Sequence, residues 1–319
     1  MPATATLEDR FVGCLLGLAV GDALGGCFEG QTAGGIVGRY INRQTLFASP
    51  PEGPLYYTDD TQMAIGVAEA LLQDHQIIET TLCEAFIANY HPYRGYGRGA
   101  RAVLGAMEDG KDYKSVAENH FPGGSFGNGA AMRVAPIGMF FHRDLDRVWE
   151  QARLSALPTH VHPLGIEGAQ ILATAVALCL RMETFDRPAF FDYLLAQCQT
   201  EPFRAKIALA ARIERSSGLQ ELGNGIEATE SVATAIACFA LAPDDYCEVI
   251  GSAIYLGGDT DTIAAMAGAL AGAFLGVSAI PGKLVDLLEE TPKGRGYILN
   301  LARKLHLGSL SLSQSEEQP

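Results

Sequence analysis

The 319-residue chain carries 37 acidic against 23 basic side chains, a formal net charge of -14 at pH 7. That balance excludes a basic nucleic-acid face and docking to anionic membranes, and leaves any anionic ligand to backbone N–H groups and helix N-termini. The seven cysteines form no CxxC pair and the start MPATATLEDR has no apolar signal stretch, so the expectation is buried free thiols in a reducing cytoplasm.

Apolar residues recur at helical spacing over 8–25, 61–73, 79–90, 98–109, 144–156, 165–182, 187–199, 202–215, 228–241, 244–256, 262–276 and 283–290. Gly, Pro and Asn clusters at 30–35, 50–54, 91–99, 122–129 and 223–225 read as loops, and strand-like alternation is scarce. No Pro/Ser-rich or charged linker divides the chain. The pattern therefore predicts an all-α fold in one compact domain over residues 1–308, with a polar, disordered tail at 309–319. The uncharged run 263–280 has the length of a membrane span, but its Ala/Gly content and the acids before it indicate a buried core helix.

Two predicted helices share a stripe. Gly13, Gly17, Gly21 and Gly25 recur every four residues, as do Ala264, Gly268, Gly272 and Gly276. Glycine inside a helix costs up to about 1 kcal/mol against alanine, so four in register imply close approach to neighbouring helices. These two helices are expected at the centre of the fold.

Each of two predicted helices opens on an acidic cluster: Thr58-Asp59-Asp60-Thr61 and Asp259-Thr260-Asp261-Thr262. Helix capping explains one Asp or Thr per start, and Asp59 with Gln62 has capping-box spacing. It does not explain two aspartates and two threonines at each. If the fold brings the clusters together, four carboxylates repel one another unless a cation or protons intervene. Oxygen-only donors suit hard ions such as Mg²⁺ or Mn²⁺.

The motifs FVGCLLGLAVGDALG (11–25), YTDDT (57–61), GSFGNGAAMRVAPIG (124–138), TH (159–160) and LGGDTDTIAAMAGALAG (256–272) together resemble the ADP-ribosylglycohydrolase family, also called ADP-ribosyl-acceptor hydrolases. The resemblance spans about Phe11 to Leu301. It implies a many-helix orthogonal bundle with a binuclear Mg²⁺ (or Mn²⁺) site at helix N-termini, acting as a monomer on ADP-ribose or ADP-ribosylated proteins. It also implies cleavage of the glycosidic bond between ADP-ribose and an acceptor. The GSFGNGAAMR form and LGNGIEATESVATAI at 222–236 look most like the branch acting on serine-linked ADP-ribose and poly(ADP-ribose), with O-acetyl-ADP-ribose a further substrate. The alternative is the dinitrogenase-reductase-activating branch, which acts on arginine-linked ADP-ribose.

By the same resemblance, Thr58, Asp59 and Asp60 would bind one metal ion, Asp259 and Thr262 the other, and Asp261 both. Asp59 would also meet the ligand. Glu29 matches a glutamate on a flap, His160 a histidine reaching the ligand and Ile226 an apolar contact. Gly124, Ser125, Phe126, Gly127, Asn128 and Gly129 match the loop holding the diphosphate and adjoining ribose; the branch typically has tyrosine at Phe126. Asp259 is the candidate for orienting or deprotonating the attacking water, and Glu29 either protonates the departing acceptor oxygen or only gates the site and completes the metal shell.

Lesser signals have structural readings. His162 before Pro163 reads as a helix entry, RGYGRG at 94–99 as a turn, Arg133 as one half of a structural pair, and Met63 and Met132 as core. Two rival functions stand beside hydrolysis. Helical isoprenoid-diphosphate enzymes also use paired aspartates, but Met63 occupies the place of the last aspartate of D-D-x-x-D. A non-catalytic ADP-ribose-binding module would keep the fold without turnover.

Overall fold

The computed structural model describes residues 5–316, with side chains through Leu312. Helix α1 (Leu7–Gly25) starts at Thr6, whose hydroxyl accepts the Asp9 N–H while the Asp9 carboxylate accepts the Thr6 N–H, both at 3.1 Å. This reciprocal cap satisfies two groups that a helix start otherwise leaves unpaired. There follow α2 (Ala33–Arg39), α3 (Arg43–Ala48), α4 (Asp59–Asp74), α5 (Glu79–Asn89), α6 (Arg98–Glu108), α7 (Tyr113–His120), α8 (Gly129–Met132) and α9 (Ala135–Phe140). The second half comprises α10 (Leu145–Ala156), α11 (Pro163–Arg181), α12 (Arg187–Gln197), α13 (Glu201–Arg212), α14 (Ala228–Leu241) and α15 (Tyr246–Ile254). It closes with α16 (Thr260–Leu275), α17 (Gly282–Leu287) and α18 (Arg295–Glu316). The fold is all-α, and the described residues form no strand.

At its centre α1 and α16 run antiparallel, the α1 glycines lying against the backbone of α16. Gly13 faces Gly272, Gly17 faces Gly268, Gly21 faces Ala264 and Gly25 faces Thr260. At each α1 glycine, an added Cβ would overlap the partner's carbonyl oxygen. Close dispersion contacts offset the helix cost of the glycines. The Tyr246 hydroxyl of α15 donates to Gly17 O at 2.7 Å and pins the pair from the side. Of the expected membrane-length run 263–280, residues 263–275 belong to the buried core helix α16, and the remainder leaves that helix after Leu275. Among the described residues one helix, α11, is long and apolar enough to cross a membrane, and 83% of its apolar window is buried inside the fold.

Four differences from the sequence expectation have local causes. The loop expected at 30–35 contains the start of α2, because Thr32 caps it by accepting Gly35 N–H at 3.2 Å and Ile36 is buried. Asn42 likewise caps α3, where Leu46 is buried. Helix α7 presents no buried residue, so no apolar stripe announced it; Asp112 starts it. The tail expectation is corrected through Glu316, since α18 continues across it. Ile298, Leu301, Ala302 and Leu305 bury one face of α18, and Leu312 extends that packing. The Ser309 and Ser311 hydroxyls bond back to His306 O and Leu307 O at 2.8 and 3.0 Å. Residues 317–319 of the expected tail lie outside the described residues.

Candidate active site

The first acidic cluster is held by a carboxylate that sequence reasoning passed over. Asp22, fully buried in the last turn of α1, accepts Thr58 N–H at 2.9 Å. It also accepts Thr61 N–H at 3.0 Å and the Thr61 hydroxyl at 2.5 Å. Its signal was the one acid among the buried residues of α1, which are otherwise glycine or apolar. Upstream, the buried Arg94–Glu289 pair fixes Tyr57: Arg94 donates to Tyr57 O at 2.8 Å and Glu289 accepts Tyr57 N–H at 3.2 Å. The expected Asp59–Gln62 capping box does not form. Thr58 is the cap, accepting Asp60 N–H at 3.4 Å, while Gln62 Oε1 accepts the His91 N–H and the Tyr96 hydroxyl, both at 2.9 Å.

The second cluster stands at the start of α16. Asp259 occupies the cap position but makes no side-chain cap bond. Its Oδ2 instead accepts from Asn128 Nδ2 at 2.5 Å, and its N–H donates to Asn224 O at 3.0 Å. Asn224 Nδ2 in turn donates to Leu256 O and Gly257 O at 3.0 Å each, so this residue, also missed in the sequence, shapes the turn before Asp259. Thr260 turns away and donates to Gly25 O at 2.8 Å. Asp60 Oδ2 accepts the Thr262 hydroxyl at 3.4 Å and the Thr58 hydroxyl at 3.2 Å. The two clusters, some two hundred residues apart, therefore meet.

Their meeting shows in the electrostatics. Burial, then the charge of Asp22, raises Asp59 to about 7, with Glu29 and Asp259 adding to it. Asp261 rises to about 9 through burial and then Asp259, Glu29 and Asp22. Asp60 is pushed well up by burial and by Asp22, Asp261, Asp59 and Asp259. Burial raises Asp22 to about 6 against the hydrogen bonds of Thr61 and Thr58. Carboxylates so placed demand compensating positive charge or protons.

A divalent cation matches this donor chemistry. Every candidate ligand is oxygen, and Asp60 Oδ1 is buried without a hydrogen-bond partner, which is costly for a carboxylate. Among the described residues, no three Asp, Glu, His or Cys side chains form a ready-made ion cage. Thr58, Thr262 and Asn128 take up the carboxylate oxygens instead.

A cleft of ≈ 620 Å³ opens over the clusters. Glu29, Asp59, Asp60, Asp259, Asp261 and Thr262 line it, together with Ser125, Gly127, Asn128, Gly129, His160 and Ile226. Thr58 lies behind Asp60. Glu29 is exposed at the rim, with its backbone anchored where Gly30 N–H meets Gly258 O at 2.9 Å and Gln31 O accepts Gly258 N–H at 3.0 Å. Partial burial and the charge of Asp259 raise the Glu29 carboxyl.

The Gly-rich loop docks on the 224–228 turn: Asn128 N–H meets Ile226 O at 2.9 Å and Ala228 N–H meets Phe126 O at 3.0 Å. Gly127 N–H bonds Ser125 Oγ at 3.2 Å, so the loop offers fewer free donors than its glycines suggest. Gly124 lies beneath the loop at φ +92°, where a Cβ would strike His162 N. Phe126 is 48% exposed and meets the His162 ring edge-on at 5.7 Å. His162 caps α11 by accepting Leu164 N–H at 3.2 Å, the expected helix entry. The turn read from RGYGRG at 94–99 is only partly there: the chain turns at 92–93 and bends at Arg94, residues 95–97 run on without a regular turn, and Arg98 and Gly99 already belong to α6, with Gly95, Gly97 and Gly99 lining the cleft. Met63 and Met132 are buried and border it too. Among the described residues Arg133 pairs with no carboxylate; it bonds Ser155 O, Thr159 Oγ1 and, more weakly, Met63 Sδ.

Comparison with known proteins agrees with this architecture. The profile of the ADP-ribosylglycohydrolase family matches residues 3–314. The chain is 35% identical to human ADP-ribosylhydrolase ARH3, over 93% of each chain. It is 31% identical to the uncharacterized protein YegU of Escherichia coli, over 85% of this chain and 89% of that one. A solved chain described as an ADP-ribosylglycohydrolase-related protein complex superposes with a TM-score of 0.74 at 29% identity, covering 95% of this chain and 99% of the other. With one family profile spanning nearly every helix and a relative matched almost end to end, the chain belongs to the ADP-ribosylglycohydrolase family.

Proposed function

We propose that the cleft hydrolyses the glycosidic bond between ADP-ribose and an acceptor, with serine O-linkages, poly(ADP-ribose) or O-acetyl-ADP-ribose as its substrates. The observation that carries the reading is the contact of Asp60 with Thr262 beside the Asn128–Asp259 bond, which sets both acidic clusters against the Gly-rich loop in one cleft. Relatives named ADP-ribosylhydrolase ARH3, 34–36% identical, support hydrolysis of an ADP-ribosyl bond.

Thr58, Asp59, Asp60, Asp259, Asp261 and Thr262 would hold two Mg²⁺ or Mn²⁺ ions, which supply charge for ribose hydroxyls and acidify water. The chain's own groups divide the remaining work. The loop from Ser125 to Gly129, with His160, holds the diphosphate end, and exposed Phe126 and Ile226 give apolar faces to the base and ribose. Asp259, oriented by Asn128, directs a water at the anomeric carbon. Glu29, whose carboxyl is raised by partial burial and Asp259, gives its proton to the departing acceptor oxygen. Glycosidic cleavage through an oxocarbenium-like state needs such a pair of carboxyl groups.

The test is release of free ADP-ribose from a serine-modified and an arginine-modified peptide, each with Mg²⁺ and with EDTA. The expected result is cleavage of the serine conjugate with Mg²⁺ and none with EDTA. Cleavage of the arginine conjugate alone would replace the branch. Binding of both without cleavage would make the protein a non-catalytic binding module.

A further inference from the structure

We propose that Arg133 and Thr159 are positioning residues that hold His160 as a neutral imidazole with its proton on Nε2, presented to the end of the Gly-rich loop. The inference deepens the function proposed above and rests on it only for the identity of the ligand. Arg133 is buried under the cleft, with its guanidinium 4.8 Å from the Phe86 ring centroid. Its Nη2 donates to Ser155 O at 2.9 Å and to Thr159 Oγ1 at 2.8 Å. A guanidinium has donors and no acceptor, so the Thr159 oxygen is the acceptor in that bond.

The single hydroxyl proton of Thr159 then has two destinations. His160 Nδ1 lies 2.7 Å away and Ala156 O lies 3.5 Å away. Hydrogen-bond geometry favours the shorter contact decisively. An Nδ1 that accepts a proton carries none, so the neutral ring bears its hydrogen on Nε2. The opposite tautomer would load two donors onto the Thr159 oxygen and send its proton to the distant Ala156 carbonyl. Burial, and then the charge of Arg133, holds the ring to about 3, so it does not become imidazolium near neutrality.

The free edge of the ring faces the loop. A Cβ at residue 129 would come 3.0 Å from His160 Cε1 and 3.4 Å from Nε2, which is why glycine at 129 makes room for it. The opposite side of the ring lies on Gly165, where a Cβ would approach Cδ2 to 3.0 Å. The imidazole is thus wedged between two glycines, its rotation blocked and its tautomer set from behind. In a chain of charge -14, a fixed neutral N–H joins the loop amides in receiving the oxygens of a bound diphosphate or ribose.

The experiment uses full-length protein labelled with ¹⁵N-histidine. Long-range ¹H–¹⁵N spectra, with His160 assigned by the signal lost in His160→Gln, should show the Nε2–H tautomer between pH 6 and 8. Thr159→Val leaves Arg133 its bond to Ser155 but removes the relay. It should shift His160 toward the Nδ1–H form and weaken ADP-ribose binding, read by calorimetry, by roughly two- to tenfold. Thr159→Ser should restore both. An Nδ1–H signature in the unmodified protein overturns the proposal, as does a Thr159→Val variant with unchanged tautomer and affinity. If the unmodified protein fails to bind ADP-ribose, the proposed function falls, while the tautomer spectrum still decides the relay.

Discussion

Replacing Gly17 by alanine tests the helix pair on which both acidic clusters stand. The added methyl would overlap the Gly268 carbonyl oxygen and crowd the Tyr246 ring 3.2 Å away. Overpacking a core costs about 1–3 kcal/mol, and here the obstacle is backbone in a buried helix, which cannot rotate aside as a side chain would. The upper end, about 3 kcal/mol, is therefore expected. Unfolding entropy of roughly 2.1 cal/mol/K per residue makes each kcal/mol worth about 1.5 °C in a chain this long, so Tm should fall by about 4 °C or more. Gly105 in α6 is the control, because a Cβ there meets nothing within 4 Å. Gly105→Ala should gain up to about 1 kcal/mol from helix propensity and raise Tm by about 1 °C. Scanning calorimetry of the two variants is the assay. A Gly17→Ala protein melting at or above the parent temperature would refute the close-packed register of α1 and α16.

Asp259→Asn and Glu29→Gln should each slow ADP-ribose release at least about 100-fold while the fold's melting temperature holds; near-normal turnover in either removes that residue from the chemistry. Glu289→Gln leaves the Arg94 charge buried without its partner and should cost about 3 kcal/mol in urea unfolding, with no change if the pair is incidental. Burial, with Arg143, Arg181 and His306 nearby, lowers His142 to about 4 from its ordinary 6.5. Between those values the unfolded chain takes up a proton that the folded one refuses. The stabilisation is complete above pH 6.5 and fades as pH falls toward 4, by about 3 kcal/mol in all. His142→Phe should therefore lose less stability than the parent over that window; parallel curves would count against the assignment.

Some parts of this architecture were legible in the chain because they are written locally. The four-residue glycine spacing marked α1 and α16 as central helices closely approached by neighbours, though not as partners of each other, and the surplus of aspartates and threonines marked two helix starts as more than caps. His162 before Pro163 announced its helix entry. What stayed hidden depends on distant partners. Asp22 reads as one acid in a helical motif until the fold sets it under Thr58 and Thr61, 36 and 39 residues on. Asn224 reads as loop composition until its amide meets the turn at Leu256 and Gly257. Helices α2 and α3 were masked by short length and, in α2, by three glycines, with caps and one buried side chain each outweighing propensity. The α18 stripe from Ile298 through Leu305 has proper spacing, but serines and a glycine beyond it gave the appearance of a tail.

The measurement that bears most directly on the account is anomalous diffraction from crystals grown with Mn²⁺ and ADP-ribose. Metal peaks are expected between the starts of α4 and α16, within about 2.0–2.3 Å of carboxylate oxygens of Asp60 and Asp261, with the ribose alongside. Saturating Mn²⁺ that leaves this region without a peak, or places it away from both aspartates, would contradict the claim that two remote helix starts build one cation site.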